Sequence, residues 1–391
     1  MEQPRSFYNL PFFLLCLSSF LFFSSFNMLI PELPDYLSSL GGADYKGYLI
    51  GLFTITAGLS RPFSGRLTDT IGRVPVMAFG SLVCFVCGFA YPLAQTVVLL
   101  LSLRLIHGFS TGFKPTGTSA YVADIVPDDR RGEAMGFLGL CGSVGMAFGP
   151  ALGSWVTAAT SLNGLFFTSS ALALLSILIL LNMKETLPTK VPFRWSLLRI
   201  SRRDVFEPSV IAPTTVTFLN SFSYGTVVTL APDFSKYLGM NNKGTFFAVF
   251  TLASLAIRFL AGKVSDRYGR RPVLQVASGF VTLAMILLAY SQTVTTFLLS
   301  AVVFGVSMGM YSPTAQAWTV DLSHAGNRGR ALATMYIALE AGIGLGAFLS
   351  AKVYDNHPEQ FRTTFLVTAL FSALSSAYLL FGKAPRATPT A

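Results

Sequence analysis

Apolar stretches of about twenty residues recur along the chain, separated by short polar segments. In the first half they lie at about 10–31, 47–64, 75–94, 97–120, 133–157 and 162–183. In the second half they lie at about 209–231, 244–261, 272–291, 294–319, 331–353 and 362–382. A helix of about twenty residues crosses the roughly 30 Å hydrocarbon core of a bilayer, so each stretch predicts a membrane-spanning helix. Between the sixth and seventh stands "MKETLPTKVPFRWSLLRISRRDVFEP", polar and proline-bearing. It reads as a linker over 184–208 joining an N-terminal bundle, 1–183, to a C-terminal bundle, 209–391. The first stretch is too long for a signal-peptide core and lacks a clear cleavage site, so it reads as a retained helix.

Composition supports this pattern. The 391 residues are 52% hydrophobic and only 12% charged, against about a quarter charged in soluble domains. Cys16, Cys84, Cys87 and Cys141 all fall in apolar stretches, where packing is expected and disulfides are not. Three histidines without clustered cysteines give no metal site. In a soluble chain the net charge of +10 would point to nucleic acid. Here no nucleic-acid partner is expected, because the charge is asymmetric across the spans. With the N-terminus inside, nineteen lysines and arginines fall on one side; Lys46, Lys236, Lys243, Lys352 and Arg362 fall on the other. The positive-inside rule then places both termini and the linker in the cytoplasm.

The polar segments repeat. "GRLTDTIGRVPVM" (Gly65 to Met77) returns as "GKVSDRYGRRPVL" (Gly262 to Leu274). A shift of 197 residues carries Asp69 onto Asp266, Gly72-Arg73 onto Gly269-Arg270, and Arg61 onto Arg258. The same shift carries Asp124 onto Asp321, Gly145 onto Gly342 and Gly149 onto Gly346. A shift of 198 matches "PDYLSSLG" at Pro34 with "PDFSKYLG" at Pro232. The expected fold is therefore an all-α membrane protein of twelve transmembrane helices. They form two six-helix bundles of like orientation, related by an axis along the membrane normal.

These motifs resemble those of the major facilitator superfamily over nearly the full length. The two loop motifs are similar to the family's motif between helices 2 and 3 and its repeat between helices 8 and 9. Thr70 and Val74 depart from the basic residues usual there. "RLIHGFSTG" (Arg104 to Gly112) resembles the helix-4 motif of proton-coupled members, with His107 where glutamine is common. "GMAFGPALGS" (Gly145 to Ser154) resembles the helix-5 motif of antiporters, with Ser154 for a usual glycine. "LIPELPDYL" is similar to the end of helix 1 in drug exporters. The resemblance is to the drug:proton antiporter branch. It implies two bundles rocking about a cavity lined by helices 1, 4, 7 and 10.

Candidate residues follow from this frame. Gly65, Gly72 and Pro75 suit a tight cytoplasmic turn, as do Gly262 and Gly269. With Asp69, Arg73, Asp266 and Arg270 they form the gating motif. The resemblance sets Asp69 against the start of the eleventh helix and Asp266 against the start of the fifth. A carboxylate at a helix N-terminus contributes roughly 0.3–2 kcal/mol, a weak latch; fixing loop shape is the other reading. Gly145, Gly149 and Gly153 with Pro150 form a close-packing ridge, to which the resemblance adds sealing of a proton leak. Arg104, His107, Thr111, Lys114 and Thr118 share one helix face, expected to meet protein or a watered cavity. Arg104 matches the family's proton-relay arginine. A lysine as deep as Lys114 calls for an anionic substrate group or a carboxylate partner, unless it snorkels. Glu340 is a carboxylate in mid-span, able to carry a proton unless it is held in an ion pair. Asp35 and Asp233 either close an outer gate or are solvated. Asn27, Asn220, Tyr224, Tyr311, Gln316 and Trp318 are further expected cavity residues, chosen by helix membership.

The expected function is secondary active transport, a proton-coupled exporter of a small organic solute or drug, monomeric in an inner membrane. Nothing resembles a phosphate-binding loop, so neither ATP nor a cofactor is expected, nor an enzyme activity. An importer, symporter or uniporter of a sugar, metabolite or metal chelate stays open. A receptor or lipid-modifying protein would need a catalytic cluster or soluble domain, and neither is visible.

Overall fold

The computed structural model describes residues 9–127, 131–200, 205–323 and 328–382, which form thirteen α-helices and, among those residues, no strand. Twelve helices are 18 residues or longer, and each falls on one predicted span. In the first half these are α1 (Leu10–Asn27), α3 (Lys46–Thr70), α4 (Arg73–Ala90), α5 (Val97–Ile125), α6 (Arg131–Ala159) and α7 (Leu162–Leu181). The second half supplies α8 (Ile211–Tyr237), α9 (Thr245–Tyr268), α10 (Arg270–Ala289), α11 (Val294–Asp321), α12 (Arg328–Tyr354) and α13 (Phe361–Phe381). The short α2 (Leu33–Ser39) follows α1. Among the described residues nine helices are apolar enough by themselves to cross a bilayer. The other long ones, α3, α8 and α9, carry more polar residues; in α8 Thr217, Asn220, Ser223 and Thr226 are all buried in protein.

Local chemistry fixes the ends. Thr96, Ser161 and Thr293 cap α5, α7 and α11 by accepting from backbone N–H groups three residues on. The first span was expected to run unbroken to about residue 31, but α1 stops at Asn27 and α2 begins at Leu33. Two prolines, Pro31 and Pro34, lack the N–H groups a continuous helix needs; the single Pro232 is absorbed inside α8. A correction applies to the repeated motif. Gly65 sits within α3, with open space around it, and forms no turn. Gly262 likewise falls within α9. The chain turns instead at Gly72 (φ 126°) and Gly269 (φ 90°), backbone conformations that side chains with a Cβ rarely adopt.

The chain divides into two compact units, Met1–Ile30 with Leu59–Ile200, and Pro31–Gly58 with Ser201–Ala391. The division follows packing, whereas the predicted domains follow the repeat, so the first half of α3 groups with the second unit. In the first unit α1 packs on α6 through the predicted glycine ridge. A Cβ on Gly145 would meet the Phe20 carbonyl at 2.5 Å, and one on Gly149 the Ser24 carbonyl at 2.7 Å. Gly153 lies hard against Met28. The second unit repeats this: Gly342 meets Phe218 and Gly346 meets Phe222 where α12 packs on α8. Phe20 and Phe218, like Ser24 and Phe222, are related by the 198-residue shift.

Gly149→Leu is expected to destabilise the first unit by about 1–3 kcal/mol through overpacking. Gly139→Leu should be near neutral, because no atom lies within 4 Å of its Cβ position. Thermal unfolding of the detergent-solubilised variants, measured side by side, checks this.

Candidate functional site

At one end of the second unit six charged side chains interlock. Lys243 Nζ, in the α8–α9 connection, donates to Glu32 Oε2 (3.0 Å) and Asp35 Oδ2 (2.7 Å) at α2. Lys236 Nζ reaches Asp35 Oδ1 at 3.3 Å. Lys46, which opens α3, donates to Asp233 Oδ2 at 2.6 Å, and the two side chains are only 11% and 7% exposed. Asp35 and Asp233 are thus ion-paired rather than solvated. Sequence reasoning counted Lys46 and Lys243 only toward topology, although the 197-residue shift superimposes them, and Glu32 has no repeat counterpart. The signal was that repeated lysine pair and the complementary charge flanking Asp35 and Asp233.

Burial pushes the Asp35 carboxyl up, but the hydrogen bond and charge of Lys243, with Lys236, outweigh it and hold its pKa below the ordinary value. Burial pushes the Lys243 ammonium down, and the bonds and charges of Asp35 and Glu32 outweigh that and leave it raised. The Asp35 contribution is present above its ordinary pKa and lost only as pH falls through the depressed value. That of Lys243 is lost only as pH rises through its raised value. Between these limits Asp35 and Lys243 keep their charges. Asp35→Asn is therefore expected to change transport rate without moving the midpoint of its pH profile between about pH 6 and 8. A shifted midpoint would assign the titration to this cluster.

A seam runs inward from this cluster, where α3 packs on α12. A Cβ on Gly47 would meet the Ala347 carbonyl at 2.7 Å, and one on Gly58 would meet Glu340 Cβ at 3.3 Å. Between them Gly51 faces Gly344, beside Thr54. Gly47, Gly51, Thr54 and Gly58 fall at spacings of four, three and four, one helix edge. That spacing makes the ridge legible in the sequence itself. Glu340 is therefore buried (8% exposed) at the inner end of a glycine-lined helix contact. Tyr224 of α8 interacts with it electrostatically, and Tyr224 itself stacks with Phe304.

The charged face of α5 points into the first unit. Arg104, His107 and Lys114 are at most 1% exposed. His107 Nδ1 lies 3.1 Å from the Tyr91 hydroxyl and Nε2 lies 3.3 Å from Cys84 Sγ. Arg104 Nη1 donates to the same Tyr91 hydroxyl at 3.5 Å. Cys84 continues the network to Ser25 at 3.3 Å. Lys114 Nζ donates to Ser18 Oγ (2.5 Å) and Ser176 Oγ (2.7 Å), beneath the Phe22 ring. Thr111 bonds back to the Gly108 carbonyl. The carboxylate partner considered for Lys114 is absent among the described residues; hydroxyls take its place.

The remaining expected cavity residues are dispersed. Asn27 lies beside Gly149 and donates to the Phe23 carbonyl. Asn220 donates to Ser278 and Ser375 inside the second unit. Tyr311 and Trp318 belong to that unit's apolar core with Leu274 and Met335. Gln316 is half-buried and donates to Ser312. Helix membership did not fix direction. The repeated motif is bonded alike in its two copies. Arg73 joins Asp69 (3.1 Å) and Asp124 (3.0 Å); Arg270 joins Asp266 (2.5 Å) and Asp321 (2.8 Å). Glu185, unforeseen, caps α4 by accepting from the Arg73 and Val74 backbone N–H groups.

The family model described as Major Facilitator Superfamily matches residues 15–246 and 214–391. The chain belongs to the major facilitator superfamily. Multidrug resistance protein MdtG of Escherichia coli (strain K12 / DH10B) is 26% identical over 377 residues, covering 92% of each chain. Multidrug resistance protein 2 of Bacillus subtilis (strain 168) is 26% identical over 303 residues, covering 70% of this chain and 75% of that one. Among solved structures, a D-xylose-proton symporter aligns with a TM-score of 0.80 at 17% identity, covering 96% and 97% of the two chains. The human organic anion transporter MFSD10 (TETRAN) aligns at 0.72 and 19%, covering 94% and 98%. At those identities the structures establish the superfamily fold alone. This superfamily member is an integral membrane transporter of small molecules, not an enzyme.

Proposed function

We propose that the protein exports a small organic solute in exchange for protons, with Glu340 as the proton carrier. The observation that carries this is the position of Glu340 at the inner end of the α3–α12 seam. With the seam closed, its carboxyl is packed among helix surfaces; with the seam parted, it meets water. The two states thereby offer its carboxyl different surroundings, which ties proton exchange to a conformational change. The multidrug resistance proteins at 26% identity support export as the direction. Arg104 takes part in proton coupling from the first unit.

Alternating access then exposes the solute to one side of the membrane and the other in turn. The ion-paired cluster closes the outer end, and the Asp69 and Asp266 motifs latch the cytoplasmic end. Both termini lie in the cytoplasm of a bacterial inner membrane, and the protein works as a monomer. Purified protein in liposomes, given ethidium as a lipophilic cation and carboxyfluorescein as an anion under an imposed pH gradient, tests the reading. Movement of either dye that follows the gradient and stops when nigericin dissipates it is the expected result. Movement indifferent to the gradient would refute proton coupling.

A further inference from the structure

The α1–α6 seam carries a pair of thiols that the transport reading does not use. Contacts along the seam advance in step. A Cβ on Gly145, Gly149 or Gly153 would meet the carbonyl of Phe20, Ser24 or Met28, each pair 125 residues apart. One turn back along both helices, the same offset sets Cys141 opposite Cys16. There the two thiols hydrogen-bond to each other. Both pack in one core cluster with Phe12, Phe137 and Leu138. The second unit keeps the ridge without the pair: one turn before Gly342 and Phe218 stand Ala338 and Thr214.

The other two cysteines cannot make this contact with each other. Cys84 and Cys87 stand three residues apart on α4. That spacing fixes their Cβ atoms about 5–6 Å apart, beyond the roughly 3.5–4.5 Å that a disulfide spans. Cys84 Sγ is engaged instead by Ser25 and His107. Cys16 and Cys141 lie on different helices, so no helical repeat holds them apart. They differ in access: Cys16 is 3% exposed, whereas Cys141 is half-buried. On α6, Cys141 shares its face with Val144 and Phe148, both exposed. That face is apolar and admits reagents soluble in hydrocarbon.

We infer that Cys16 and Cys141 are a redox-active thiol pair, which closes to a disulfide stapling α1 to α6 when a lipophilic organic hydroperoxide reaches the seam. The Cys141 sulfur attacks the terminal hydroperoxide oxygen. The O–O bond breaks, an S–O bond forms, and the thiol proton leaves with the alcohol. The Cys16 sulfur then attacks that of Cys141. The S–S bond forms, the S–O bond breaks, and the hydroxyl departs as water with the Cys16 proton. Two thiols lose two electrons in all, and one hydroperoxide is reduced to alcohol and water. Apolar placement alone argues against a disulfide; the opposed thiols supply what placement does not show. The pair lies wholly within the first unit, and its chemistry does not rest on proton coupling at Glu340.

The deciding experiment treats intact wild-type protein in liposomes with cumene hydroperoxide. The protein is then denatured, its free thiols are blocked with N-ethylmaleimide, and the products are mapped by mass spectrometry. Free thiols should fall from four to two, with Cys84 and Cys87 alkylated and two peptides linked through Cys16 and Cys141. Dithiothreitol should restore all four. Cys16→Ser should leave Cys141 as a sulfenic acid that dimedone captures at least tenfold more than in wild type. Equal capture in the two proteins would overturn the inference. So would four free thiols in treated wild type, a Cys84–Cys87 bridge, or Cys141 carried on to sulfinic acid with Cys16 still a thiol. These last three are read from wild type alone, so they decide the matter whether or not the serine variant folds.

Discussion

Glu340→Gln is expected to abolish gradient-driven dye movement while leaving solute exchange intact. One proton moving down a one-unit pH gradient contributes about 1.4 kcal/mol, a tenfold accumulation ratio. Removing the carrier forfeits that factor for each unit of imposed gradient. Gln keeps the size and polarity of a protonated carboxyl, so the α3–α12 contact at Gly58 is preserved and the protein should fold. Solute can still part the seam by its own binding, and exchange between labelled and unlabelled dye continues. Gradient-driven accumulation equal to wild type would remove Glu340 from the proton path. Loss of exchange as well would make it a structural residue.

Lys46→Met should have the second large effect. It leaves the Asp233 carboxylate, 7% exposed, without its 2.6 Å partner. Removing one member of a buried ion pair is destabilising by about 3–5 kcal/mol, enough to shift an open–closed equilibrium by more than a hundredfold. Because the pair links the start of α3 to the end of α8, that penalty falls on the closed outer end. The reporter is a cysteine at Thr54, buried on α3 against Gly344. Labelling of Thr54→Cys by a membrane-impermeant maleimide should rise at least tenfold in Lys46→Met. The charge swap Lys46→Asp with Asp233→Lys should bring it back toward wild type. Unchanged labelling would show that the pair does not hold the end closed, and failure of the swap would point to general loss of packing.

The fold was legible because two strong physical signals agree. The bilayer demands apolar runs of fixed length, and the 197-residue repeat fixes how many there are. The Gly145 ridge was legible from four-residue spacing and its Gly342 counterpart from the repeat, and both meet a partner helix closely. The site was less legible, for reasons particular to each residue. Periodicity put Arg104, His107 and Lys114 on one face but could not tell a watered cavity from a serine-lined bundle interior. The answer depended on Ser18 and Ser176, 96 and 62 residues away in sequence. Asn220 and Tyr311 were chosen by helix, yet a helix lining a cavity also has a face turned into its own bundle. The ion-paired cluster was half seen: the 197-residue shift also carries Lys46 onto Lys243, but a lysine at a span end reads first as a topology charge, and Glu32 has no counterpart in the repeat.

The most direct test is the distance between spin labels at Tyr45, before α3, and Lys352, in the last turn of α12, in a variant with the native cysteines replaced. Measured without solute, wild type should favour a short distance at about pH 5.5 and gain a longer population at about pH 8.5. Glu340→Gln should keep the short distance at both. A single pH-independent distance in wild type, or an undiminished pH response in Glu340→Gln, would contradict the account.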